Sequence, residues 1–382
     1  MKTMKNLNKP IFIIFICGLI CLIGCANKLV AEPSNKLSLG AHFKDLFYLG
    51  AAINENTILG LDPKSATIVN SEFNTITPEN SLKWMFIQPK PNKFNFKAAD
   101  KYVEMGLKNN MYIVGHALVW HAQLADFMQN IDNSAEARKH VDNHINRLVS
   151  RYKGKIDAWD VVNEAFEEDG SLRASVFYNN MGENYIEEVF RITEKADPDA
   201  DLIYNDYNLY KPEKRAAVLK MVKNFKSNGT KINGVGVQAH WDLKSPSLEE
   251  IEQIILDIHA EGVSVSFTEL DISVLPNPWE MVGAEVTQNF SKFEGDPKMN
   301  PYPNGLPDAV QEKLAKRYQD IFNIFVKHSD KINRVTFWGV MDKHSWLNDW
   351  PIKGRTNYPL LFDRDYQPKV AYERLLGVNT KP

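Results

Sequence analysis

Residues Trp159-Asp160-Val161-Val162-Asn163-Glu164 carry an apolar run of strand character into an amide and a carboxylate. In parallel α/β architectures the carboxyl end of a strand is the rim where ligands bind, so Asn163 and Glu164 fall at such a rim. A second run, 263–271, has the same character and holds Glu269 and Asp271 near its end. Most glutamates on a soluble protein are solvated surface charges. These two instead close near-continuous apolar runs, where an unpaired charge is costly unless it has a task or a partner.

Outward from residue 164, short apolar runs alternate with amphipathic segments, the signature of βα units and a parallel sheet. Strands are predicted over 47–54, 73–80, 111–120, 155–164, 202–208, 233–241, 263–271 and 334–341. Apolar spacing at three and four residues predicts helices over 96–108, 135–151, 185–195, 214–225, 248–260, 308–327 and 369–376, with Ser247 as a natural N-cap. Eight repeats make a single-domain (β/α)8 TIM barrel the economical α/β fold. Residues 273–305 break the rhythm with Pro, Gly, Asn and aromatics, and such a long loop directly after Glu269 is expected over the cleft.

Composition sets the broad class. With 382 residues, 44% hydrophobic and 24% charged, the chain can bury an ordinary core. Its 45 basic and 48 acidic residues are interspersed, for a net charge of −3, which recommends neither nucleic acid nor an anionic membrane as partner. The N-terminus reads as an address. Lys2, Lys5 and Lys9 precede an apolar run over 11–24, short for a membrane span and suited to a secretory signal. All three cysteines, Cys17, Cys21 and Cys25, lie here, so the mature body has no disulfide. Leu22-Ile23-Gly24-Cys25 resembles a bacterial lipobox, against the plainer reading of a chance Cys in a signal cut elsewhere. The expected organisation is a lipoprotein signal peptide over 1–24, a tether over 25–38 and a barrel over 39–382. The only membrane contact is then a lipid on Cys25, with the domain exported to the periplasm or the cell surface.

Polar residues recur at the same end of strand after strand: Glu79-Asn80 with Lys83, His116 with Trp120 and Gln123, Asn163-Glu164, Asn205-Asp206-Tyr207, Gln238 with His240, Glu269 with Asp271, and Trp338. One cleft explains them all. Two glutamates facing each other across it match glycoside hydrolysis, the commonest chemistry built on such a pair.

The runs Pro78 to Trp84 (PENSLKW), Gly115 to His121 (GHALVWH), Trp159 to Glu164 (WDVVNE), Gly236 to His240 (GVQAH) and Thr268 to Asp271 (TELD) resemble those of the glycoside hydrolase family 10 xylanases. Phe337-Trp338-Gly339-Val340 with Asp342 and Ser345-Trp346 extends the match through the eighth strand, so the likeness spans about 39–376 in the family's order. It implies a retaining endo-1,4-β-xylanase with Glu164 as general acid/base and Glu269 as nucleophile. In a retaining pair the carboxyls sit roughly 5 to 5.5 Å apart, one attacking the anomeric carbon while the other protonates the leaving oxygen. Carboxylates that close resist ionising together. The likeness also implies that His240 bridges Asp271 and the nucleophile, and that Asn163 binds the sugar 2-hydroxyl. It places Glu79, Asn80, Lys83, His116, Trp120, Gln123 and Gln238 around the non-reducing side, and closes Trp338 and Trp346 over the sugar. Tyr207 is a looser match, toward the leaving group. Outside these motifs a strand-end His is more often structural and a Trp or Tyr is as often core. The implied partners are xylan or xylo-oligosaccharides, with no cofactor, no metal and a monomeric chain.

Ala117 and Ala125 stand where many relatives have Thr and Pro, and Lys343-His344 fills a variable pair; these bear on binding preference rather than chemistry. Gly234 to Ala239 matches a dinucleotide fingerprint only as a bare pattern, since no helix begins there. His140 and His144 share a helix face without the glutamate of a zinc protease, and a solvated helix face is expected. Two competing functions are a glycan-binding lipoprotein without catalysis, which has no reason to keep both glutamates, and a β-1,4-glucan endoglucanase.

Overall fold

The computed structural model describes residues 37–381 apart from 282 and 284. The signal, Cys25 and all of the tether up to residue 36 lie outside the described residues. The tether's last residue, Ser38, accepts from Ala41 N and caps the short helix Leu39–His42.

The strands are β1 (Tyr48–Ile53), β2 (Thr75–Pro78), β3 (Tyr112–Trp120), β4 (Ala158–Asn163), β5 (Asp201–Asp206), β6 (Gly234–Val237), β7 (His240–Asp242), β8 (Ser264–Ser273) and β9 (Ile332–Phe337). Every pairing is parallel, β1 pairs with both β2 and β9, and β6 pairs with β8, closing the sheet. Strands β6 and β7 are two parts of one stave, so the closed barrel has eight staves. The sixth stave was expected as one strand. It breaks at Gln238-Ala239, where Ala239 has φ 62, and this turn brings His240 into register with Asp271.

Near-continuous apolar runs form the staves because both faces are covered. β4 is buried at every position and β8 at all but its first. Trp159 packs its ring where Gly115 has no side chain: a Cβ there would meet that ring at 2.1 Å. The helix Ser134–Tyr152 turns Ala137, Val141, Ile145, Leu148, Val149 and Tyr152 inward, the three-and-four spacing read from the sequence. Leu248–Ala260 begins with a full capping box between Ser247 and Glu250.

Helix Pro63–Glu72 was not predicted. It buries only Ser65 and Val69, so no apolar stripe marks it, although Asp62 caps it through Ser65 N. The expectation for His144 is also overturned. Its side chain is fully buried, stacked on Trp84 at 3.8 Å between ring centroids and bonded through Nδ1 to Gln88 Oε1 at 2.9 Å. Burial pushes its imidazole down to about 3, so it serves as a neutral core residue.

Candidate active site

β4 ends at Asn163, and Glu164 follows at φ 57, a left-handed backbone that non-glycine residues adopt at a cost of roughly 1–3 kcal/mol. Three bonds hold it there. Glu164 N donates to Asn205 O at 2.9 Å, Arg173 Nε donates to Glu164 O at 3.0 Å, and Tyr204 Oη accepts from Ala165 N at 3.0 Å. The carboxylate is then gripped on both oxygens. Oε1 accepts from Asn163 Nδ2 at 3.0 Å and Gln238 Nε2 at 2.8 Å, while Oε2 accepts from Trp120 Nε1 at 2.8 Å.

Glu269 stands on β8 and is held separately. His240 Nε2 lies 3.2 Å from its Oε2, and His240 Nδ1 lies 3.0 Å from Asp271 Oδ1. Asp271, two residues along the strand on the same side, also accepts from Trp346 Nε1 at 2.8 Å. Burial alone would push the His240 imidazole down, but the two carboxylates facing its nitrogens raise it to about 10. Burial likewise opposes ionisation of Glu269, yet its contact with His240 and the nearby His116 and Lys83 leave its carboxyl below the ordinary range.

A bridge of amides joins the two acids. Asn205 Nδ2 lies 2.8 Å from both Asn163 Oδ1 and Glu269 Oε1, and Asn163 in turn donates to Glu164. Strand register places Asn163 opposite Asn205, and Thr268 Oγ1 donates to Asn205 Oδ1 at 2.6 Å to orient the amide. Asn205 stood in the strand-end series without an assigned role. Its position at the end of β5 was the available signal.

One cavity of about 380 Å³ is lined by Glu79, Asn80, Lys83, His116, Trp120, Gln123, Asn163, Glu164, Gln238, His240, Glu269, Trp338 and Trp346. Thus every predicted site residue except Tyr207 and Asp271 reaches the same space. Lys83 Nζ donates to Asn80 Oδ1 at 3.1 Å and sits 4.8 Å from the Trp120 ring centroid and 5.9 Å from that of Trp338. Burial pushes its ammonium down, against the pull of Glu269, Glu79 and Glu164. Burial raises the Glu79 carboxyl, which Lys83 only partly offsets. Below the cavity, Asp160 ties the floor together: His116 Nδ1 is 2.9 Å from its Oδ2 and Arg334 donates to its Oδ1 at 3.1 Å, all fully inside the barrel.

Tyr207 is buried next to the pair, accepts from Arg173 NH2 at 2.9 Å and lies beneath Lys214 Nζ. Arg173 was missed altogether. It ties Glu164 O and Tyr207 to Glu285 on the long loop, with NH1 2.6 Å from Glu285 Oε2. His121 Nε2 lies 3.5 Å from the same oxygen. Burial opposes ionisation of Glu285, but His121, the Thr287 N–H and Arg173 bring it to about 2. Through this clasp the loop brings Val286 into the cavity wall. Among the described residues no group of His, Cys, Asp and Glu is arranged to hold a metal.

The family described as "Glycosyl hydrolase family 10" matches residues 38–378. An "Endo-1,4-beta-xylanase A" of Xylanibacter ruminicola is 40% identical over 367 residues, covering 95% of this chain and 97% of the relative. A "Beta-1,4-xylanase" of Dictyoglomus thermophilum is 38% identical over 337 residues, covering 88% and 89%. Among solved structures, an endoxylanase retrieved from sugarcane soil metagenome superimposes with a TM-score of 0.83 at 46% identity, covering 90% of this chain and 99% of that one. A mutant enzyme in complex with xylotriose gives 0.78 at 33% identity, covering 89% and 99%.

Proposed function

Because the chain belongs to glycosyl hydrolase family 10, we propose that it is an endo-1,4-β-xylanase that cleaves internal bonds of xylan with retention, using Glu164 as acid/base and Glu269 as nucleophile. The observation that carries this reading is the amide bridge, which holds two differently supported carboxylates against one cavity.

Glu269 is suited to attack. Its neighbours favour the carboxylate form, and Oε2 is aimed by His240. As it bonds to the anomeric carbon, the bond from that carbon to the leaving oxygen breaks and Glu164 supplies the proton. The resulting ester is neutral. Glu164, now a carboxylate, takes a proton from water as that water attacks the same carbon and releases Glu269. Trp120 and Gln238 keep the Glu164 carboxyl oriented through both steps. Asn163 offers its amide toward the sugar 2-hydroxyl, a contact that strengthens as the ring flattens toward an oxocarbenium ion.

Preference for xylose over glucose fits the aromatic wall. Trp346 is fixed by Asp271 and stacked on Trp350 at 4.4 Å, and it lines the cavity together with Trp338, a pair of rings that suits a sugar without the hydroxymethyl that glucose carries at C5. Assays on soluble xylan and carboxymethylcellulose test this: reducing ends are expected from xylan. Release only from the cellulose derivative would establish the endoglucanase reading, and release from neither would favour a binding protein.

The address belongs to the same reading. Residues 1–24 act as a lipoprotein signal, 25–38 as a tether from a lipidated Cys25, and 39–382 as the catalytic domain outside the cytoplasm. Labelled palmitate is expected to enter the wild-type chain and not Cys25→Ser; equal labelling of both would sink it.

A further inference from the structure

Beyond Glu164 the chain turns back on itself. Phe166 and Leu172 form an antiparallel bridge and Arg173 N donates to Ala165 O at 2.8 Å, which returns Arg173 to the main chain beside the acid/base. Its guanidinium then serves three partners from three nitrogens. Nε donates to Glu164 O at 3.0 Å, NH2 to Tyr207 Oη at 2.9 Å and NH1 to Glu285 Oε2 at 2.6 Å. A guanidinium is a planar fork with fixed angles between its donors, so pulling on one arm turns the others.

Glu285 is the arm that arrives from far along the chain. It stands on the long segment after β8, yet its carboxylate is held on both oxygens: Oε1 accepts from Thr287 N and Thr287 Oγ1, each at 3.0 Å, and Oε2 faces Arg173 and, at 3.5 Å, His121 Nε2. Exposed ion pairs contribute little, but these two side chains are only 12% and 14% exposed. A second acid competes for the same nitrogen. Glu167 Oε1 lies 3.5 Å from Arg173 NH1 and is 43% exposed. Without Glu285 the guanidinium is left to Glu167, which draws it outward and lifts Nε from Glu164 O.

We propose that Glu285 is a positioning residue for the acid/base: through Arg173 it holds the left-handed main chain at Glu164 and so aims the carboxyl that delivers the proton. The inference rests on the role given to Glu164 above. It makes the long segment part of the proton-transfer apparatus, whereas a mere cover over the cleft would act on binding alone.

Two aryl β-xylobiosides test it on the full enzyme, because dinitrophenolate departs without a proton while phenolate needs one from the acid. In Glu285→Ala, kcat/KM for the phenyl glycoside is expected to fall about tenfold, with that for the dinitrophenyl glycoside changed by less than about twofold. Arg173→Lys is expected to show the same selectivity, and adding Glu285→Ala to it to cost little more, since both residues act along one chain of contacts. An equal fall on both substrates, no fall on either, or effects that simply multiply in the double variant overturns the proposal. Glu164→Ala supplies the reference. If it fails to separate the two leaving groups, the acid/base assignment falls and takes this inference with it; if it separates them and Glu285→Ala does not, only this inference falls.

Discussion

His240 Nε2 lies 3.2 Å from Glu269 Oε2, while the other nitrogen of the same ring is 3.0 Å from Asp271. The imidazolium is thus clamped between two carboxylates on one face of β8, and its charge, with His116 and Lys83 nearby, favours the ionised form of the buried Glu269. Catalysis and stability should both respond to its removal.

On the proposed mechanism Glu269 attacks as a carboxylate, and its lowered pKa preserves that form as pH falls, so the acid limb of kcat/KM should lie below the ordinary carboxylate range. In His240→Asn, burial meets less opposition and the acid limb should move to higher pH. A pH profile with an aryl xylobioside checks this, and an unmoved limb refutes it. The raised pKa of His240 makes its stabilising contribution fully present below its ordinary value of 6.5 and lost as pH rises through about 10. The stability gap between wild type and His240→Asn, from urea melts, should therefore shrink between pH 6.5 and 10.

Glu269→Ala should lower kcat by roughly 10³-fold or more while folding normally. Azide should restore turnover of an activated aryl xylobioside, giving the α-glycosyl azide, because the small anion attacks from the side the carboxylate has vacated. Glu164→Ala with azide should give the β-product instead. NMR of the products decides, and the same anomer from both variants would undo the assignment of roles.

Asn205→Ala removes a donor to ionised Glu269 and a partner of Asn163, a loss of about 1.5–3 kcal/mol for a charged hydrogen bond, or about 10- to 160-fold in kcat/KM. Gly236→Ala should mimic it, since a Cβ there would sit 2.3 Å from Asn205 Oδ1 and 2.9 Å from Thr268 Cγ2. Kinetics of both variants check the pairing; a fully active Gly236→Ala contradicts it.

Arg334→Met would leave Asp160 charged and buried with only His116 beside it, and should destabilise the barrel by about 3–5 kcal/mol. Denaturant unfolding measures this directly. A loss below about 1 kcal/mol would mean that Asp160 is not held as a charge.

Much of this molecule was legible along the chain. Short apolar runs marked the staves and the period-3.6 pattern most helices, and helix Asp308–Lys327 has the predicted bounds. Carboxylates closing apolar runs marked Glu164 and Glu269, because burying a charge demands a reason that a local pattern can reveal. Folding settled the rest. Helix Pro63–Glu72 lacked an apolar stripe, and His144 became a core residue through Trp84 and Gln88, far away in the chain. Only register places Asn205 between the two acids, and only the path of a long loop brings Glu285 to Arg173. Periodicity and strand ends are local properties that neighbouring residues encode. Which side chain meets which across staves and loops depends on closure of the whole barrel, and that is a property of the tertiary structure alone.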